Sequence, residues 1–567
     1  MSPDSPPTSP GEARRLLKAG VEQAIRALWG SEVEVSLTEP RNESFGDLST
    51  QAALGLASTL RRPPREIARE IAEALEPPRD TFGRVSVDGP GFVNFSFSQS
   101  YLDRFSYRLG TQGIRPLLSL QGTGRRALVE FVSSNPTGPL SVGHCRQAVL
   151  GEAVAGLLEA AGWTVEREYY FNDAGRQTLL LGESLAARYA EQTGASLEIP
   201  EGGYQGEYLA AWARSLSAER GGGLSWPADS EVFVSYARDR AMEMIVSDLE
   251  LLGIRFDRFF NESSLIAEAV PAALRALSAI SEEGRSLVYE EPPGSGKMWL
   301  RLTALGRPED RVLVRESGMY TYRAPDIAYH LDKFSRGYDL LVDIFGSDHI
   351  DTSRDVAAAV GALLGERELG KLRVIIHQFV TLLRGGRKVK MSTRAATFVT
   401  MRELLEEVGS PDVTRYLFLT RRAEAHMDFD LELARRQSDE NPVYYVQYAC
   451  ARISGIIRTA ASEGVALPSS FDDFEGQLVD PAERNLVRLL ELIPCRVAAA
   501  TESLEPHRLT EMLADVATAF HSFYTKLRVV DASAPRLSSA RLLLCAACRN
   551  TMRDLLAVLG VEAPERM

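Results

Sequence analysis

Two stretches of the chain carry side chains suited to phosphate chemistry. In the first, a Ser/Asn/Pro/Gly-rich segment from Ser133 to Gly143 ends directly on His144. The apolar run before it, Ala127 to Val132, reads as a buried strand. After it, Val149, Leu150, Val154, Leu157, Leu158 and Ala161 recur at helical spacing until Gly162 stops the pattern. A strand, a tight turn and a helix start make an anion site, because the first N–H groups of the helix are unpaired and its dipole favours negative charge. His144 stands where it could reach a bound phosphate, although a lone histidine is more often a satisfied structural residue. The second stretch is LLRGGRKVKMSTR, where Arg384, Arg387, Lys388, Lys390 and Arg394 surround a Gly-Gly hinge. A flexible cationic loop suits a polyphosphate whose charge moves during reaction. Its plain alternative is a solvated basic turn.

The elements around these stretches are of α/β type. TYRAPDIAYHLDKF reads as a turn into a helix, YDLLVDIFGSDHI as a buried strand ending in a polar loop, and LRVIIHQFV as another buried strand. Strands alternating with helices predict a Rossmann-type parallel sheet over residues 121–400, with ligands at the carboxyl ends of the strands. Helical segments up to Leu252 and a hairpin arm formed by MWLRL and VLVRE predict an insertion at about 180–318. A disordered tail is expected over residues 1–11 and a small α/β domain over 12–120, with helices at Ala13–Leu28 and Leu48–Leu60 and paired strands in VSVDGPGFVNFSFS. From 401 to 567 the strand signals fade. Helical patterns at Pro442–Thr459, Pro481–Ser503, Leu509–Val529 and Ser538–Leu559 predict an all-α bundle.

Composition narrows the classes. The 567 residues exceed one core, and 45% hydrophobic and 25% charged residues are ordinary for a soluble globular protein. The start, MSPDSPPTSPGEARR, lacks an apolar targeting segment, which together with five cysteines predicts a cytoplasmic setting and no membrane partner. A net charge of −13 disfavours broad nonspecific nucleic-acid binding but leaves room for local basic patches. Three tempting motifs fail. Gly122 and Gly124 precede a strand where the dinucleotide fingerprint must follow one, and PPGSGKMW has Glu291 and Met298 where a P-loop needs Gly and Ser or Thr. Cys545 and Cys548 lack a second pair and fall on a helix-periodic run, so they read as core thiols rather than metal ligands.

The pair of phosphate-handling stretches is more specific than either alone. SVGH at 141–144 resembles the HIGH signature of class I aminoacyl-tRNA synthetases, and KMSTR at 390–394 resembles their KMSKS loop. EFVSSNPTGPLSVGH, YYFNDAGRQ, TYRAPDIAYHLDKF, RYLFLTRRAEAHMDFDLELA, NPVYYVQYACARI and LLGVEAPERM resemble the arginyl-tRNA synthetase family in particular. Near the start, GDLSTQAALGLA, RRPPREIA and VDGPGFVNF resemble that family's added N-terminal domain, which contacts the tRNA elbow.

The resemblance implies activation of L-arginine by ATP with Mg²⁺, then transfer of the arginyl group to tRNA(Arg). It implies ATP contacts from Pro136, Gly138, Ser141, Gly143, His144, Lys390, Met391, Ser392 and Arg394. Of these, His144, Ser141 and Lys390 would act on the reacting phosphates, and Gly143 would let adenine approach. It implies an arginine pocket of Glu130, Ser133, Asn135, Tyr322, Asp326 and His349 (or Asp348), in which carboxylates meet the guanidinium fork. It implies RNA contacts in the helical domain from Tyr444, Gln447, Tyr448 and Arg452, where flat rings suit splayed-out bases. Family habit adds a monomer whose activation step waits for tRNA.

The sequence departs from the pattern at Ser141, where the family has the first histidine of HIGH, and at Thr393, where it has the second lysine of KMSKS. Gly138 occupies the place of an upstream lysine found in some relatives, so Arg394 or Lys388 would supply the missing charge. These departures motivate two rival readings: an adenylate-forming paralogue with another acceptor, and a catalytically silent tRNA-binding relative.

Overall fold

The apolar run before the Pro/Gly-rich turn forms strand β1 (Arg126–Glu130), in which Ala127, Leu128 and Val129 are fully buried. A continuous apolar stretch belongs in a strand covered on both faces. In the computed structural model the described residues are 7, 9–40, 42–75, 77–173, 175–282, 284–389 and 399–567. They divide into two compact units: Gln121–Gln437 with Glu505–His507, and residues up to Leu120 with Ser438–Leu504 and Arg508–Met567.

In the first unit β1 leads through the turn into α1 (Val142–Ala160), and β2 (Thr164–Phe171) follows. Three helices, Arg176–Thr193, Glu207–Arg220 and Ser230–Leu251, then pack on one another around Leu185, Leu216 and Phe233. The chain returns to the sheet as β3 (Arg258–Asn261). A small antiparallel sheet (Val288–Glu290, Met298–Leu300, Arg311–Val314) precedes α2 (Arg323–Ser335), β4 (Leu340–Gly346), α3 (Ile350–Leu364) and β5 (Leu372–His377). The sheet order is β5-β4-β1-β2-β3, parallel throughout. The single insertion expected over 180–318 is therefore two excursions separated by a sheet strand. With four residues, of which Phe260 alone is buried, β3 is too short to show a period.

Beyond β5 the described part of the expected basic loop is a hairpin, β6 (Val380–Arg384) and β7 (Arg387–Lys388). Its turn places Gly385 and Gly386 at φ +57° and +70°, the consecutive left-handed pair that a tight hairpin requires. Strand β8 (Met427–Asp430) pairs in parallel with β6, so this unit runs on to Gln437 rather than ending at 400. Pairing with a strand some 45 residues earlier decides that boundary, and such pairing leaves no local signal.

In the second unit a helix starts at Pro10 with Ser9 as its cap, just inside the expected tail. The helix expected over Leu48–Leu60 is divided. Leu48–Thr50 is a strand paired with Phe92–Phe97, and Ala52–Leu60 is the helix. The long helical patterns of the C-terminal part all form: α4 (Pro442–Ser462), Pro481–Ser503, α5 (His507–Lys526) and Pro535–Val558. Cys545 and Cys548 are fully buried free thiols in the last of these. Among the described residues no helix is long and apolar enough to cross a membrane.

Candidate functional site

Ser141 is the N-cap of α1, and with His144 it closes a reciprocal capping box. The Ser141 Oγ accepts from His144 N–H at 3.5 Å, and His144 Nδ1 accepts from Ser141 N–H at 3.2 Å. A lone pair at Nδ1 leaves the ring proton on Nε2. Burial pulls the imidazole down to about 4 against a smaller opposing pull from Asp348, so the ring is neutral at pH 7 and offers one N–H. The Ser141 hydroxyl caps the helix start and lies 3.2 Å from His144 Nδ1.

The first-turn donors are nearly used up. Val142 N–H goes to Val399 O at 3.4 Å and His144 N–H to Ser141, which leaves Gly143 N–H without a partner among the described residues. A Cβ on Gly143 would meet nothing closer than Ser141 Oγ at 3.6 Å. Gly138 differs: at φ +156° its Cβ would lie 2.8 Å from the Tyr208 hydroxyl, which donates to Thr137 O. The tyrosine stands where a side chain at 138 would go. Pro136 is buried within the turn.

The second group gathers at the carboxyl ends of β1 and β2 and at the start of α2, which runs back against the strands. Tyr322 caps α2, and Asp326 N–H bonds Tyr322 O at 3.2 Å, so the two side chains share a helical face. The Asp326 carboxylate has no hydrogen-bond or ion-pair partner among the described residues. Burial pushes it up to about 7, with His330 pulling against and Glu262 and Glu130 adding to the rise.

Several charges around Asp326 are paired among the described residues. Glu130, 2% exposed, accepts from Ser133 Oγ at 2.8 Å and pairs with Lys333, which also donates to Asp343 at 2.7 Å. The two ring nitrogens of His330 face Asp326 O (2.7 Å) and Asp343 Oδ2 (2.8 Å). Burial acts against the charge of Asp343, but Lys333 and His330 outweigh it and hold that carboxyl well below the usual range. For Glu130 burial prevails over Lys333 and the carboxyl is raised. Ser133, at φ +41°, also accepts from Tyr170 N–H at 3.2 Å and clips β1 to β2. Asn135 donates to Gln177 at 2.7 Å and accepts from Asn172 N–H at 3.3 Å. Tyr322 and His349 are well exposed at the rim, with His349 3.6 Å from Asp348.

One carboxylate of this pocket, Glu262, escapes the sequence reading. It accepts from the Tyr170 hydroxyl and from Asn172 Nδ2, each at 2.6 Å, and burial raises it. Tyr170 stacks on Tyr329 at 4.4 Å between ring centroids, so Glu262, Tyr170 and α2 make one wall. The signal was a lone Asn-Glu after a four-residue strand, which nothing local marks as special. Lys390, Met391, Ser392, Thr393 and Arg394 lie outside the described residues.

In the second unit α4 and α5 flank a groove of about 970 Å³ lined by Tyr448, Arg452, Arg458, Tyr524, Lys526, Arg528 and Arg566. The Arg452 guanidinium donates to the Tyr448 hydroxyl at 3.1 Å and lies 5.1 Å from the centre of the Tyr524 ring. Of the four RNA candidates, Tyr448 and Arg452 line this groove. Tyr444 and Gln447 do not, and Gln447 donates to Glu562 O at 2.9 Å. The basic-aromatic run YTKLR at the end of α5 was legible as a pattern but not as a neighbour of α4.

Among the described residues no group of three or more His, Cys, Asp or Glu could hold a metal ion. Family models match three stretches: the arginyl-tRNA synthetase N-terminal domain over residues 15–97, the class I (R) tRNA synthetase catalytic domain over 118–219, and the DALR anticodon-binding domain over 446–567. The chain is 42% identical to an arginine–tRNA ligase of Syntrophotalea carbinolica over 98% of this chain and 100% of that one. It is 41% identical to an arginine–tRNA ligase of Thermotoga maritima over 97% and 99%. The structure of Thermus thermophilus arginyl-tRNA synthetase superposes with a TM-score of 0.76 over 98% of this chain and 100% of that one, at 23% identity, and shares the fold.

Proposed function

The chain belongs to the arginine–tRNA ligases, class I aminoacyl-tRNA synthetases, and from that premise we propose that it activates L-arginine with ATP and passes the arginyl group to tRNA(Arg). The observation that carries the reading is Asp326. A half-buried carboxylate without a partner among the described residues, at the carboxyl ends of parallel strands, is well placed to take a cation. A guanidinium meets it with two parallel N–H···O bonds. Glu262 adds a second acceptor along the same wall, and Tyr322 covers the entrance. Glu130 serves at one remove, since Lys333 and Ser133 already occupy it. Asn135 would orient the α-amino group, and His349 or Asp348 would close the other side.

In the activation step the arginine carboxylate attacks the α-phosphorus of ATP in line and pyrophosphate leaves. The Nε2–H of His144 and the free N–H of Gly143 meet the phosphate oxygens as charge builds on them. Open space at Gly143 admits the nucleotide close to the backbone. Lys390, with Met391, Ser392 and Arg394, takes the departing pyrophosphate by family resemblance. Mg²⁺ bound with ATP would supply charge neutralisation on its phosphates. In the transfer step a ribose hydroxyl at the tRNA terminus attacks the arginyl carbonyl of the adenylate, the ester to tRNA forms as the acyl–phosphate bond breaks, and AMP leaves. The N-terminal domain (12–120) contacts the tRNA elbow, and Tyr448 and Arg452 receive anticodon bases on exposed rings and guanidinium. The protein works as a cytoplasmic monomer.

Arginine-dependent ATP–pyrophosphate exchange, run with and without tRNA(Arg) and with lysine as control, tests this reading. Exchange that needs arginine and tRNA together is expected. Exchange without tRNA would favour an adenylate-forming paralogue. Absence of exchange from a protein that still binds tRNA would leave a silent binder.

A further inference from the structure

The turn between β1 and α1 is strained where it begins. Val132 and Ser133 lie in the left-handed region at φ +66° and +41°, a conformation that a β-branched residue keeps only where its surroundings over-determine it. On the sheet side those surroundings belong to β2 and the residue after it. The Tyr169 hydroxyl donates to Ser134 O at 2.7 Å and accepts from Ser134 N–H at 3.1 Å. Tyr170 N–H bonds Ser133 Oγ at 3.2 Å, and Asn172 N–H bonds Asn135 Oδ1 at 3.3 Å.

The far side of the turn is held by the first helical excursion. Gln177, second residue of the helix Arg176–Thr193, accepts from Asn135 Nδ2 at 2.7 Å. Tyr208, second residue of the helix Glu207–Arg220, donates its hydroxyl to Thr137 O at 2.8 Å. Thr137 N–H in turn bonds Asn135 O at 2.8 Å, so the two ties grip one short piece of backbone. The Tyr208 ring is fixed at its own end: it packs against Trp212 at 4.7 Å between ring centroids, on the core of the three helices. Two glycines make room for it. A Cβ at Gly138 would come 2.8 Å from its hydroxyl, and a Cβ at Gly206 would run into the ring itself. With space left for it by two separate backbone segments and its hydroxyl on a carbonyl of the turn, Tyr208 is a strut between excursion and turn.

We propose that Tyr208 is a positioning residue for the α-amino end of arginine: through Thr137 it holds the strained turn so that Asn135 faces that group. This rests on the function proposed above. The two ends of the substrate are then set by different parts of the unit. The guanidinium end depends on Asp326 of α2 and on Glu262 after β3, and the α-amino end on the helical excursion.

The test is Tyr208→Phe, with Gln177→Met beside it, in arginine-dependent ATP–pyrophosphate exchange with tRNA(Arg) present. The competing inhibitor is δ-guanidinovaleric acid, which is arginine without its α-amino group. Phenylalanine keeps the ring on Trp212 and removes only the bond to Thr137 O. For Tyr208→Phe, kcat/KM for arginine should fall roughly tenfold, while the inhibition constant of the des-amino acid stays within about twofold of wild type. Gln177→Met should show the same split to a smaller degree, because the bond it removes is exposed to water. Unaltered kcat/KM for arginine in Tyr208→Phe, or an equal loss for arginine and the des-amino acid, overturns the proposal. So does a des-amino acid that fails to compete in the wild type, since the guanidinium end would then not be anchored separately. Should Tyr208→Phe fail to fold, Gln177→Met decides on the same comparison. A wild-type protein without exchange would overturn the functional reading instead, so the two failures are distinguishable.

Discussion

The pocket proposed for arginine and the groove between α4 and α5 both handle charge, and they do so in opposite ways. In the pocket most charges are buried and paired, with Lys333 held between Glu130 and Asp343; Glu262 is met by neutral donors, and the half-buried Asp326 has no partner among the described residues. In the groove the cations are exposed, and Arg452 and Tyr448 form an open pair that water can reach. The difference follows the ligand. One small cation is recognised by desolvating it against a fixed carboxylate, where each missing bond is costly. A polyanion with splayed-out bases is recognised by many exposed contacts, each weak and screened by salt.

Asp326→Asn should break the pocket most severely. Loss of the charged partner of a buried guanidinium costs about 3 kcal/mol or more, on the order of a hundredfold in kcat/KM for arginine, with the KM for ATP little changed. Steady-state pyrophosphate exchange measures it, and a loss below fivefold would remove Asp326 from the pocket.

Acid should weaken the same pocket without a mutation. Asp326, raised to about 7 in the free protein, must be ionised to bind guanidinium. Arginine binding therefore favours the deprotonated form, is undiminished above pH 7 and fades below it. Between pH 8 and pH 6 the KM for arginine should rise roughly tenfold, as expected for one carboxyl titrating near 7. A flat profile would mean that a cation within the protein already holds that carboxylate ionised.

The groove should respond least. Arg452→Ala should raise the KM for tRNA roughly three- to tenfold and reduce the slope of log affinity against log salt by about one, while pyrophosphate exchange at saturating tRNA stays unchanged. Tyr444→Phe, at a position outside the groove, should leave both untouched; filter binding across a salt series compares the two.

Much of this arrangement was legible in the sequence, and the exceptions share a cause. The strand–turn–helix around His144 was readable because β1 is continuously apolar and α1 repeats its apolar residues at helical spacing. Ser141 was readable as a departure from a motif but not as a capping partner of His144, since the reciprocal bonds depend on the local backbone path. Strand β3 and its following Glu262 were missed because four residues carry no period. The boundary near 400 was misplaced because the partner of β8 is β6.

By itself the sequence determined most of the local elements, the family and the residue types proposed to face phosphate and guanidinium. Periodicity and motif spacing act within one or two turns of chain, and that range suffices for them. Tertiary structure alone decided which charges are spent and which are free. Glu130 and Asp326 are both carboxylates in matching motifs, yet Lys333 occupies the first and no described residue occupies the second. The state of a buried charge depends on what distant segments bring within a few ångströms of it, and on how much water they exclude.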